Sequence, residues 1–135
     1  MDRHILPILG KLEDCDIDDL NIDFKNNSLM LTAKLAKFDS TDLDEYYLAF
    51  ENISAFYFID GTSEFYNSNK NTAHSIFYYD NGIGEFATIK DVDGEHTDDN
   101  ILSISVPNFS ISLENSSIFL ETNQLNVNGD SFNFD

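Results

Sequence analysis

A chain of 135 residues carrying a formal net charge of −18 is tightly bounded before any motif is read. It is long enough to bury a core without disulfides or metals, and one domain is the expectation for that length. Twelve Phe and six Tyr, with no Trp, exclude a disordered acidic tail, and with the β-branched content they point to sheet. Twenty-five carboxylates against seven Lys and Arg repel nucleic-acid phosphates and anionic lipid, and attract basic partners. The charge therefore disfavours nucleic acid as a partner unless a metal intervenes. Mimicry of nucleic acid by rows of carboxylates, plain solubility and a halophilic origin are other sources of such a charge. The richness in Ile, Phe and Asn, with Arg3 as the sole arginine, fits AT-rich codon usage better than the last of these.

The first element expected is a short helix over residues 3–14. Ile5, Ile8, Leu9 and Leu12 fall on one stripe, Pro7 suits the first helical position, and the acidic run after Leu12 stops the helix by Glu13. From residue 17 onward the pattern is that of an antiparallel sheet. Residues 18–25 and 28–37 flank Asn26-Asn27, a pair that tolerates positive φ. A two-residue turn there pairs Phe24 with Leu29, Ile22 with Leu31 and Leu20 with Ala33 on an apolar face, and Asp19 with Lys34 on a polar one.

Residues 38–43 read as a polar connection. Residues 44–59, D-E-Y-Y-L-A-F-E-N-I-S-A-F-Y-F-I, are the stretch around which the rest is organised. Tyr46, Leu48 and Phe50 alternate with Tyr47, Ala49 and Glu51, as in a half-buried strand. Residues 53–59 are apolar on both faces except for Ser54, which predicts a central strand covered on both sides. An aromatic wall for a ligand is the alternative.

Residues 61–72 read as a loop, and Asn81-Gly82 as a hairpin turn placing Phe77 opposite Phe86 and Ile76 opposite Ala87. A second loop is expected over residues 91–100. Strands follow over 101–106, 109–113 and 117–122, separated by Pro107-Asn108 and Glu114-Asn115-Ser116. A last hairpin turns at Gly129-Asp130, pairing Val127 with Phe132 and Leu125 with Phe134. Short strands at regular spacing predict a mainly β fold, an antiparallel sandwich or open barrel of short hairpins with one short N-terminal helix.

The residues carry little catalytic chemistry. The loop of Asp91, Asp93, Glu95, Asp98 and Asp99 offers oxygens to a hard cation, but Gly94 stands fourth, and residue twelve is Leu102 rather than Glu, so the EF-hand pattern fails. The run from Glu13 to Asp19 mixes Cys15 with carboxylates, a poor match in softness for Zn²⁺ or Ca²⁺. His4, His74 and His96 lack metal-ligand spacing, and no nucleophile elbow, Walker loop or dinucleotide fingerprint is present. Carboxylate pairs are too many for a glycosidase pair to be singled out. No enzyme, no cofactor and no metal site are expected. The six tyrosines serve as sheet filler or as stacking platforms. Cys15 stands alone, which excludes an intrachain disulfide. Residues 5–9 are too short an apolar run for a secretory segment, and nothing approaches a membrane span of about 20 apolar residues. A cytoplasmic protein is expected.

The run Phe50-Glu51-Asn52-Ile53-Ser54-Ala55-Phe56-Tyr57-Phe58, after a short helix and the Asn26-Asn27 hairpin, resembles a segment of small acidic β-rich bacterial proteins. Those proteins are similar to the immunity proteins of polymorphic toxin systems. The resemblance covers the first half of the chain and implies a cytoplasmic protein that binds and neutralises a cognate toxin domain. It brings no catalytic residues.

Function is thus expected in non-catalytic binding of a basic protein partner through exposed carboxylates at the rim of the sheet: Asp39, Asp42, Asp44, Asp91, Asp93, Glu95, Asp98 and Asp99. A small-ligand or carbohydrate-binding module and a structural or assembly subunit are the alternatives.

Overall fold

The computed structural model describes residues 4–35, 45–60, 75–89 and 101–134. One helix, α1 (Ile5–Lys11), precedes eleven described strands: β1 (Asp16–Asp23), β2 (Ser28–Lys34), β3 (Glu45–Glu51), β4 (Ala55–Asp60), β5 (Ser75–Tyr78), β6 (Phe86–Ile89), β7 (Ile101–Ser105), β8 (Phe109–Ser112), β9 (Ser116–Glu121), β10 (Gln124–Val127) and β11 (Asp130–Asn133). The expected connection over 38–43 and the loops over 61–72 and 91–100 lie outside the described residues.

The helix begins at Ile5, two residues before Pro7, which therefore sits inside the first turn rather than at its first position. Nothing is lost by this, because amide groups of a first helical turn have no intrahelical acceptor. Ile5, Leu9 and Leu12 are buried, as the stripe requires, and the helix ends at Leu12 before Glu13.

The strands form an antiparallel sandwich. A five-stranded sheet runs in the order β1-β2-β3-β10-β11, and a four-stranded sheet in the order β4-β9-β8-β5. Leu29, Leu31, Ala33, Tyr46, Leu48, Phe50, Leu125, Val127 and Phe132 line the inner face of the first. Ile76, Phe109, Ile111, Ile118 and Leu120 line the second. The faces meet where the Phe50 ring lies edge-on to Phe109 at 5.2 Å. Phe134, just beyond β11, closes on Phe109 at 5.1 Å and Tyr78 at 4.8 Å. Each such side chain taken fully out of water contributes about 1.5–3 kcal/mol to the driving force. A third, two-stranded sheet of β6 and β7 lies on the outside of the four-stranded one, with Phe86 against Tyr57 at 4.6 Å and Phe119 at 5.7 Å.

Four expectations of register and topology are corrected. The stretch 44–59 does not make one central element. β3 is the middle strand of its sheet and alternates as predicted, but β4 is an edge strand, with Phe58 56% and Ile59 40% exposed. Asn52 takes φ 52°, and Ile53 and Ser54 donate their amides to Asn27 and Glu121, so the chain crosses from one sheet to the other there. Apolar residues on both faces of 53–59 are thus explained by the second layer and by the β6–β7 ribbon, not by a central place.

The first hairpin turns over Phe24–Asn27, four residues, not two. Asp23 Oδ1 accepts from the amides of Lys25 and Asn26, Asp23 Oδ2 accepts from Asn26 Nδ2 at 2.7 Å, and Asn27 takes φ 53°. That carboxylate-capped turn is a local alternative to the tight one. Ile22 therefore faces Leu29, a bulge at Asp19 (φ 50°) resets the pairing, and Ile17 faces Ala33. Phe24, expected in the core, is left 74% exposed.

The last hairpin turns at Asn128-Gly129, both at positive φ, and not at Gly129-Asp130; Leu125 faces Phe132 and Val127 faces Asp130. Asn-Gly with two positive φ values matches the twist of the strands. The slip is even, so Leu125, Val127 and Phe132 keep their inward face.

Asn81-Gly82 makes a turn, with the Gly82 amide bonded to the Tyr79 carbonyl, but no hairpin. β5 pairs with β8 and β6 with β7. Pairing with β8 sets Ile76 against Ile111 and Tyr78 against Phe109, where both are covered by the opposite sheet. Gly82 itself, at φ 78°, lies so near Val106 that a Cβ would collide with it. The β8–β9 hairpin over Glu114-Asn115 is as expected.

Candidate functional site

All eight carboxylates singled out by sequence, Asp39, Asp42, Asp44, Asp91, Asp93, Glu95, Asp98 and Asp99, lie outside the described residues. The same holds for the loop considered for a cation. Within the described residues, no group of three or more His, Cys, Asp or Glu side chains is placed to hold a metal ion.

Two other surfaces have the geometry of a site. The first is the outer face of the five-stranded sheet. Strand alternation sets Met30, Thr32 and Lys34 of β2 and Glu45, Tyr47 and Ala49 of β3 on this side, in the pairs Met30–Ala49, Thr32–Tyr47 and Lys34–Glu45. Asn21, Met30, Thr32, Tyr47, Ala49 and Asn126 surround a shallow hollow of about 360 Å³. Met30 is 49% and Tyr47 59% exposed, large for residues in the middle of a sheet. Tyr47 is held in place: its amide donates to Asn128 Oδ1 at 2.8 Å, its carbonyl accepts from the Asn128 amide at 2.9 Å, and its hydroxyl donates to Glu45 Oε2 at 2.9 Å.

The hollow has unlike flanks. Along β1 and the start of β3 stand Asp16, Asp18 and Glu45, with Lys34 the described cation among them. Lys34 Nζ lies 3.1 Å from Asp18 Oδ2 and 3.9 Å from Glu45 Oε1. The hydrogen bond that it donates to Asp18, with the charges of Asp18 and Glu45, holds the Lys34 ammonium above its usual range. On the other flank is an amide ladder. Ser131 Oγ donates to Asn126 Oδ1 at 2.7 Å, and Gln124 Nε2 donates to the same oxygen at 3.3 Å. An apolar centre inside a polar rim is the anatomy of a protein interface.

The second surface is a polar cleft of about 450 Å³ at one end of the sandwich, lined among others by Asn52, Asp80, Asn108, Glu121, Thr122 and Asn123. Its main polar groups are engaged by the fold. Glu121 accepts from Ser54 Oγ at 2.5 Å and from the Val106 amide at 2.6 Å. Asn108 and Thr122 exchange two hydrogen bonds, and Thr122 Oγ1 donates to the Glu51 carbonyl. These bonds tie β9 to the neighbouring connections.

Sequence reasoning missed the outer face. Its signal was in the Tyr46-Tyr47 pair: strand alternation buries one ring and exposes the other, and the buried one is Tyr46 at 7%. The acidic run from Asp16 to Asp19, weighed in the sequence as a metal site, forms the sheet's edge beside the hollow.

The family model described as YxiG-like protein matches residues 5–132, from the first residue of α1 to Phe132 of β11. The chain belongs to the YxiG-like family. The match to that family spans both sheets, so the sandwich and its outer face fall within the family's own extent. Comparison with curated proteins gives no match, and comparison with solved structures gives none. Among the described residues, no helix is long and apolar enough to cross a membrane.

Proposed function

We propose that this member of the YxiG-like family is a non-catalytic acidic binding protein whose partner is a basic protein, in the manner of an immunity protein that neutralises a toxin domain. The observation that carries this is the pairing of a net charge of −18 with an exposed apolar hollow that Asp19 lines, with Asp16, Asp18 and Glu45 farther along the same two edges of the sheet face. Charge of one sign speeds encounter with a basic partner, and the apolar centre supplies contact area once the two have met. The carboxylates Asp39, Asp42, Asp44, Asp91, Asp93, Glu95, Asp98 and Asp99 add to the same attraction through the net charge. The protein works in the cytoplasm of a bacterial cell, needs no cofactor and does not bind nucleic acid or membrane.

The test is association with the purified cognate toxin domain, measured by calorimetry from low to high salt. Binding that weakens steeply as salt screens the charges is expected. Absence of binding, or binding indifferent to salt, refutes the proposal.

The polar cleft supports a second reading, a module that takes a small polar ligand such as a sugar among Asn52, Asn81 and Asn123. A glycan array with a hit whose affinity falls on Asn123→Ala would favour it. A structural or assembly subunit would instead show a stable homo-oligomer by light scattering.

A further inference from the structure

We infer that the outer face of the five-stranded sheet is the docking surface for the basic partner, and that it receives a basic segment whose arginine lies across Tyr47 and Met30 between Asp18 and Glu45. This rests on the binding role proposed above and names its surface. The occupant follows from chemistry already present in the chain. Lys34 shows that Asp18 and Glu45 are spaced to hold a cation, since its ammonium sits 3.1 Å and 3.9 Å from their oxygens. That cation stands next to the apolar floor: Lys34 pairs with Glu45, and the next outward pair on the same two strands is Thr32 with Tyr47.

A guanidinium suits this place better than a second ammonium. Its planar fork can meet two carboxylates, its face stacks on a tyrosine ring, and its stem covers apolar surface. Tyr47 is prepared for it, because the bonds to Asn128 and Glu45 fix its backbone and hydroxyl before any partner arrives. The hollow of about 360 Å³ between Met30, Ala49 and Asn126 takes an apolar side chain flanking the arginine. An acidic or neutral partner would meet Asp16, Asp18 and Glu45 with Lys34 alone among the described residues of this face to compensate three carboxylates. Lys34 is then a competitor built into the chain, which limits binding of cations weaker than the cognate one.

The probe is a short peptide alternating arginine and leucine, with a glutamate-for-arginine counterpart as control, titrated at low salt into the ¹⁵N-labelled protein. Amide shifts are expected to gather on Met30, Thr32, Tyr47 and Ala49. Tyr47→Ala and Met30→Lys should each weaken the peptide about tenfold or more, the size of a hot-spot loss. Tyr47→Phe, which keeps the ring and loses the bond to Glu45, should weaken it only a few-fold, and Phe77→Ala on the outside of the other sheet should bind as the unaltered protein does. Lys34→Met should bind a few-fold more tightly, an effect that a merely structural role for Lys34 would not give. All four altered side chains are about half exposed, and a thermal melt confirms that each variant folds. If the arginine peptide binds but shifts elsewhere, or is indifferent to these variants, the docking surface is wrong and the acidic binding role stands. If neither this peptide nor the cognate toxin domain binds at low salt, both fall.

Discussion

Replacing Phe109 by Ala should remove about 4 kcal/mol of stability, and replacing Phe24 should remove less than about 1 kcal/mol. The two residues are the same in composition and opposite in place. Phe109 is fully buried on β8 and touches three rings, Phe50 at 5.2 Å, Tyr78 at 5.0 Å and Phe134 at 5.1 Å. Phe50 belongs to the opposite sheet, so the truncation opens a void between the layers. A buried Phe→Ala change costs about 3–5 kcal/mol from lost transfer and residual cavity, and each ring pair adds about 0.5–1.5 kcal/mol beyond its area. Against a domain stability of about 5–15 kcal/mol that is a large share. Phe24, at 74% exposure, meets Phe56 at 6.0 Å and little else among rings. The assay is urea unfolding followed by far-ultraviolet circular dichroism and tyrosine fluorescence, the chain having no Trp. A loss under about 1.5 kcal/mol for Phe109→Ala at unchanged urea dependence, or an equal loss for Phe24→Ala, refutes the two-layer core described above.

Other outcomes follow from titratable groups. Burial, with smaller contributions from Asp16 and Asp14, pushes the Cys15 thiol up to about 11 from 9.0. A raised thiol pKa stabilises the fold below the unfolded value, and that contribution is lost as pH rises from about 9 to about 11. Cys15→Ala should flatten the fall of stability in that window, and the native thiol should react with a disulfide reagent at pH 8 far more slowly than the urea-unfolded one. Asp23 is held below its usual 3.8 by the Asn26 side-chain amide first, and then by the amides of Asn26 and Lys25. Its contribution is present above that value and disappears as pH falls through the lowered one. Asp23→Ala should therefore lower the urea midpoint at pH 7, and the difference from the unaltered protein should vanish in acid.

Local chemistry was legible wherever neighbours in sequence settle it. The helical stripe of Ile5, Leu9 and Leu12, the alternation of Tyr46, Leu48 and Phe50, the turn at Glu114-Asn115 and the mainly β class all follow from periodicity and turn residues. Register was less legible. At Asn128-Gly129 a one-position difference in the turn moved every partner by two, and at Asp23 a side chain closed a longer turn than the two asparagines imply. Both outcomes rest on hydrogen bonds of fractions of a strand's total energy, which pattern alone does not rank.

Sheet membership was not legible at all. Nothing in residues 53–59 says whether both apolar faces are covered by neighbouring strands in one sheet or by separate layers, and nothing around Asn81-Gly82 says that β5 will choose β8 over β6. Those choices depend on which pairing buries Ile76, Tyr78 and Phe109 together, a sum over residues more than thirty positions apart. The outer face is decided in the same way. The sequence by itself determined that this chain is acidic, aromatic and built of short antiparallel strands. Only the tertiary structure decided that the outward Tyr47 shares its face with Met30 and Asp18, because strand order and register, not alternation, set which residues flank it.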